Sequence, residues 1–303
     1  MTQPNSPVAS PPSVPPTGTE ATAPGRRLWR RLRAHRMGLA GLVVLALIVA
    51  GGLLAPLISP HDPGATHLEA IYQRPFTVGY GLGTDDLGRD ILSRVLHGVR
   101  ASLLVGALAL AISLAVGVPA GLLAGRYRPA DLVVSRLTDL VLAFPFLLFA
   151  VGVAAVLGPS LWIAAIAIGV SHIPSVVRVT RVETLRIGQL DFVLAARVQG
   201  AGDARVFTRY VLPNALSALI VQATVIMPTA VLSEALLSFL GLGIQPPTPS
   251  LGGMLSDAQQ YASTAPWAAI APGVAIALIC LAFNTLGDAL RDALDVTTGG
   301  PAR

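Results

Sequence analysis

Residues 101–125 read ASLLVGALALAISLAVGVPAGLLAG, a run without one ionisable side chain. An α-helix rises about 1.5 Å per residue and needs roughly 20 apolar residues to cross a bilayer core. The run is therefore a membrane span rather than a core helix of a soluble domain. Residues 38–58 give the same signal nearer the N-terminus. Outward from these two, charge-poor length and the placement of helix breakers predict four further spans, at about 132–157, 161–179, 215–240 and 266–287. The third and fourth share one apolar run that Gly158-Pro159-Ser160 interrupts, because a helix loses a backbone bond at proline. The expected fold is all-α: a polytopic membrane protein with six transmembrane helices.

Composition agrees and removes whole classes of function. The 303 residues are 53% hydrophobic and only 12% charged, with a mean hydropathy of +0.68, against roughly 25% charged residues in soluble domains. All 21 basic residues are arginine. A phosphate-binding P-loop requires a lysine, so the chain is no nucleotide-driven motor in its own right. No Ser/His/Asp, paired-carboxylate or metal-ligand constellation accompanies the spans, and neither an enzyme nor a metal site is expected. The one cysteine, Cys280, lies in an apolar stretch and reads as a small buried hydrophobe.

The chain divides into four parts. Residues 1–36 read as a disordered tail, poor in apolar groups, that ends in a basic cluster of Arg26, Arg27, Arg30, Arg31, Arg33 and Arg36. Residues 37–100 hold the first span and an external loop, 101–287 the core, and 288–303 a C-terminal tail. Positive charge sets orientation. With both termini in the cytoplasm, seventeen of the 21 arginines fall inside, and only Arg74, Arg89, Arg94 and Arg100 fall outside.

The segment 183–213, between the fourth and fifth spans, is patterned rather than linker-like. From Asp191, the residues Phe192, Ala195, Ala196 and Gln199 share a helical face. Gly200-Ala201-Gly202 breaks that helix, and Asp203 is placed to cap a second one running through Phe207 and Tyr210. The prediction is a helix, a sharp turn and a helix beneath the membrane.

The spacing Leu194-Ala195-Ala196, three residues, Gly200, nine residues, Tyr210, one residue, Leu212-Pro213 resembles the EAA loop of binding-protein-dependent ABC permeases. Leu194 stands where that loop has glutamate, and Tyr210 where it has isoleucine. Gly83-Thr84-Asp85, Gly88-Arg89-Asp90, Ser93-Arg94, Gly98, Arg100 and Ser102 resemble the block before the second span of C-type (DppC/OppC-like) permeases of dipeptide, oligopeptide and nickel importers. Asp139 with Ala143-Phe144-Pro145, then Glu234-Ala235 with 237–243, and Gln245-Pro246-Pro247 onward extend the resemblance over 30–296. It departs again at Leu251, often tryptophan in that family.

The resemblance implies a type I ABC importer permease fold and a docking loop at 183–213, with Arg197, Asp203 and Arg205 as polar contacts. It further implies a second (B-type) permease, two ATPase subunits or one fused ATPase, an extracytoplasmic substrate-binding protein, and residence in the inner or cytoplasmic membrane. ATP and Mg belong to the ATPase partners; no cofactor is expected on this chain and no nucleic-acid partner. The expected cargo is di- and oligopeptides, with nickel chelates, haem or other small solutes also compatible.

Ionisable groups in a span are costly and face protein or water, which singles out Glu234 and Asp139. Glu234 reads either as a carboxylate for a peptide ammonium or as a structural hydrogen-bond partner. Asp139 reads as an i, i+3 partner of Arg136, Asn284 as an interhelical hydrogen bond, and His172 as a packed histidine or a proton site. Pro145, Pro174 and Pro228 permit bends, and with Glu234 and Asp139, Pro228 is a candidate for the pathway or its gate. The acids Asp62, Glu69, Asp85, Asp86 and Asp90 of the external loop read as a partner surface or a solvated face. The rival class is an ion-coupled secondary transporter, which usually carries several midplane ionisable groups.

Overall fold

The computed structural model describes residues 36–295, so Arg26, Arg27, Arg30, Arg31 and Arg33 of the N-terminal cluster, and Arg303, lie outside the described residues. Every regular element among them is helical. α1 spans Arg36–Leu53, α2 Ile91–Arg126, α3 Arg128–Ala143, α4 Phe146–Leu157, α5 Leu161–Gly188 and α6 Asp191–Val198. α7 runs over Asp203–Phe239 with a π-turn at Phe207–Val211. α8 covers Leu251–Ala258 and α9 Trp267–Asp295.

α2, α5, α7 and α9 are each long and apolar enough to cross a membrane. The third expected span is not one rod. α3 and α4 meet at 85°, because Pro145 disfavours helical backbone at Phe144, which is extended at φ −91°, ψ 125°. Counting that pair as one span gives five; α1 offers the apolar stretch Met37–Leu53, at the short limit for crossing. Its helix stops at Leu53, and Pro56 opens a separate turn at Ala55–Ile58, where a continuous helix to 58 was expected.

The bundle is organised by α2 against α5. Gly117, Gly121 and Gly125 form a stripe on α2 facing Val176, Thr180 and Thr184 of α5. A Cβ on these glycines would lie 2.7, 2.5 and 2.6 Å from those side chains. In lipid, where tails are as apolar as the side chains, close backbone approach through small residues is what holds helices together. A second core, around Ala101, Val105, Ala109, Ile168, Ala230 and Leu237, joins α2, α5 and α7. α3, by contrast, buries none of its residues and leaves Leu132, Val133, Leu137 and Leu140 exposed.

Candidate functional site

The segment 183–213 folds as helix, turn and helix. α6 ends at Val198, and Gly200 takes φ +85°, a left-handed conformation that glycine adopts without steric cost. Val193 and Val206, from the two arms of the turn, are fully buried with Ile187, Val211 and Ala215, and Leu122 of α2 packs against them. The turn is thereby fixed to the bundle, while its outer side is apolar and open: Phe192 is 45%, Leu194 45% and Val198 89% exposed. Ala195 and Gln199 share that open side, whereas Ala196 faces inward. The phenyl ring of Phe192 lies 6.2 Å from that of Tyr210.

Asp203 does not cap the second helix. Gly202 is the N-cap residue, and the Asp203 carboxylate is turned to the elbow between α2 and α3. It accepts from Arg126 Nε at 2.9 Å and from Tyr127 Oη at 2.6 Å. A doubly engaged carboxylate has stronger partners there than a backbone N–H would supply. The bond to Asp203 raises the Tyr127 phenol above its ordinary pKa. Nearby, Arg197 is half-buried with its Nε unpartnered, and Arg205 is exposed. Leu212 is half-buried and Pro213 exposed at the foot of the transmembrane part of α7.

Glu234 is fully buried. Its Oε2 accepts from Ser102 Oγ of α2 at 2.5 Å and its Oε1 from Ser238 Oγ at 2.7 Å. Ser238 Oγ in turn accepts from the Ile244 N–H at 3.1 Å, so one carboxylate ties α2, α7 and the loop after α7. Pro228 sits buried inside α7, which continues through it. Asp139 and Arg136 are both exposed on α3 and form no ion pair. The pairing across that region belongs instead to Asp131, held by Arg181 of α5 through two bonds of 2.6 and 2.7 Å. His172 is packed, with Nδ1 2.8 Å from the Ile168 carbonyl and Nε2 3.1 Å from Thr229 Oγ1 of α7. Asn284 is exposed, and no hydrogen bond joins its side chain to a described residue.

On the opposite end, the Gly83–Arg94 block forms a clasp. Asp85 accepts from the N–H groups of Leu87 and Arg89, from Arg89 Nε at 2.7 Å and from Arg94 Nη1 at 3.1 Å. Asp90 caps α2 through Ser93 N–H at 3.1 Å. These two acids are 4% and 1% exposed, so they are not free for a partner; Asp62 and Glu69 remain outward. Gly88 has φ +71°, and a Cβ there would strike the His67 carbonyl. Trp267 Nε1 donates to the Thr84 carbonyl at 3.2 Å, and Arg89 and Arg94 reach Asp257 of α8 at 3.6 and 3.5 Å. Burial pushes the Asp257 carboxyl up, against the pull of Arg94 and Arg89. Leu251, in the position where tryptophan is common, is fully buried against Gly98.

Sequence reasoning missed the glycine stripe, the Asp203 clasp and the Asp131–Arg181 pair. The stripe had a signal, a four-residue spacing of glycine in an apolar helix. The other two join residues 77 and 50 positions apart and had none.

The profile described as "Binding-protein-dependent transport system inner membrane component" matches residues 117–298, and "N-terminal TM domain of oligopeptide transport permease C" matches 23–75. The di/tripeptide transport system permease protein DppC of Pseudomonas aeruginosa is 43% identical over 298 residues, covering 96% of both chains. The dipeptide transport system permease protein DppC of Alkalihalophilus pseudofirmus is 40% identical over 287 residues, covering 94% of both. Among solved structures, an inward-facing MetNI methionine ABC transporter chain superposes with a TM-score of 0.52 at 21% identity, covering 65% of this chain and 96% of that one.

Proposed function

Because this chain belongs to the family of binding-protein-dependent transport system inner membrane components, we propose that it is the C-type permease subunit of an ABC importer for di- and oligopeptides, driven through the turn at 183–213. The observation that carries this reading is the apolar outer side of that turn, with Phe192, Leu194 and Val198 exposed on a buried and rigid base. Exposed apolar patches of this kind mark protein contacts. With Leu194 in place of glutamate, docking rests on apolar contact, and Arg197 and Arg205 supply donors for carboxylates of the ATPase.

The chain performs no covalent chemistry. ATP and Mg are held by two ATPase subunits or one fused ATPase, whose closure displaces the turn. Asp203 passes that displacement to Arg126 and Tyr127, and so to the elbow from which α3 and the bent α3–α4 pair depart. The result is a rigid-body switch between inward- and outward-facing bundles. A second, B-type permease completes the pathway against the uncovered α3–α4 face. An extracytoplasmic binding protein delivers the peptide to the side bearing the clasp. Both termini lie in the cytoplasm, in keeping with the arginine distribution.

Reconstitution tests the reading. Labelled dipeptide uptake into proteoliposomes is expected only with ATP, the binding protein and both permeases present, and Val198→Glu is expected to abolish retention of the ATPase on purification. Uptake by this chain alone under a proton or sodium gradient would instead establish the ion-coupled alternative.

A further inference from the structure

α1, α2, α7 and α9 enclose an open groove of about 420 Å³, lined by Val49, Leu53, Leu104, Met227, Phe283 and, as its one charged residue, Arg100. The Arg100 side chain is exposed and makes no hydrogen bond or ion pair with any described residue. An unpaired guanidinium beside a membrane-facing apolar wall is costly unless an anion or water meets it.

The depths of the lining residues order the groove. Arg100 immediately precedes the charge-free run 101–125, about 14 Å along α2 from Ile91 at 1.5 Å per residue. Leu53 ends α1 at the same side. Met227 lies about 18 Å from the end of α7 at Phe239, and Phe283 about 24 Å from the start of α9 at Trp267. The cation thus stands at the boundary of the hydrocarbon layer and the apolar wall descends from it towards the midplane. Arginine matches phosphate geometry with two parallel donors, and a molecule with an anionic head and a hydrocarbon tail satisfies both ends of this groove.

We propose that the groove is a phospholipid site, with the lipid phosphate on Arg100 and one acyl chain along Leu104, Met227 and Phe283. The lipid seals α1 against α2, α7 and α9, at a place where the protein supplies no side chain to fill the space.

The test uses the whole transporter, assembled with its partner subunits in nanodiscs of phosphatidylglycerol and phosphatidylethanolamine. A phosphatidylglycerol with a photoreactive acyl chain is expected to label Leu104 or Met227 in the wild type. Arg100→Gln, which removes the charge, and Ala107→Phe, which fills the groove and keeps the charge, are each expected to reduce that labelling at least fivefold. Native mass spectrometry is expected to show one fewer retained phospholipid per complex. Inorganic phosphate in excess is expected to leave the labelling unchanged. The proposal is overturned if labelling is indifferent to both substitutions, if phosphate alone abolishes it, or if Leu104→Cys cross-links to the second permease, which would mean that a protein occupies the groove.

Discussion

Replacement of Gly121 by alanine adds one methyl group at the centre of the α2–α5 contact. That carbon would stand 2.5 Å from Thr180 Cβ, 2.8 Å from the Val177 carbonyl oxygen and 3.1 Å from Thr180 Cγ2. Unstrained carbon contacts lie at about 3.5–4.0 Å, so the helices must part by about 1 Å there. Thr180 has no room to turn aside, being fully buried with its hydroxyl bonded to the Val176 carbonyl at 2.8 Å. Overpacking of this kind costs about 1–3 kcal/mol, and the gain from glycine to alanine in a helix, about 1 kcal/mol, leaves a net cost of up to about 2 kcal/mol. Gly152 of α4 is the control, since nothing lies within 4 Å of a Cβ placed there. Gly152→Ala therefore keeps the propensity gain without the clash. Thermal midpoints of this chain purified without the second permease, read by fluorescence-detected size exclusion, are expected to fall for Gly121→Ala and to hold or rise for Gly152→Ala. Equal midpoints for the two variants would refute the close-packing account of the bundle.

Asp203→Asn is expected to leave the ATPase bound while lowering the number of peptides moved per ATP, measured as uptake against phosphate release; an unchanged ratio would show that the Arg126–Tyr127 clasp transmits nothing. Glu234→Ala leaves the Ser102 and Ser238 hydroxyls without their acceptor, at about 1–3 kcal/mol for each group left unsatisfied. Glu234→Gln keeps an acceptor oxygen, so its thermal midpoint is expected to stay closer to wild type; loss of uptake in the glutamine variant at unchanged midpoint would point to a role in solute passage. Trp267→Phe removes the donor to the Thr84 carbonyl, and a destabilisation of about 1 kcal/mol is expected by the same thermal assay.

Much of this architecture is legible in the residues because a bilayer imposes strong local rules. Charge-free length locates the spans, and Gly200 between two helical patterns marks the turn. The errors share a cause. Asp203 reads as a cap because Asp at a helix start usually is one, and only the fold brings Arg126 and Tyr127 within reach. Arg136 and Asp139 read as a pair by spacing, yet both stay exposed, and Asp131 takes the cross-helix arginine instead. Asp85 and Asp90 look like partner-facing acids of a loop until the clasp turns them inward.

What the amino-acid sequence determines alone is therefore whatever depends on neighbours in the chain: helix, span, break and the turn at 183–213. Which carboxylate meets which arginine was decided by tertiary structure, because such bonds join positions as far apart as Ser102 and Glu234. No periodicity reports a contact across 132 residues. The same is true of the groove at Arg100, whose wall is assembled from four helices and exists only once they are packed.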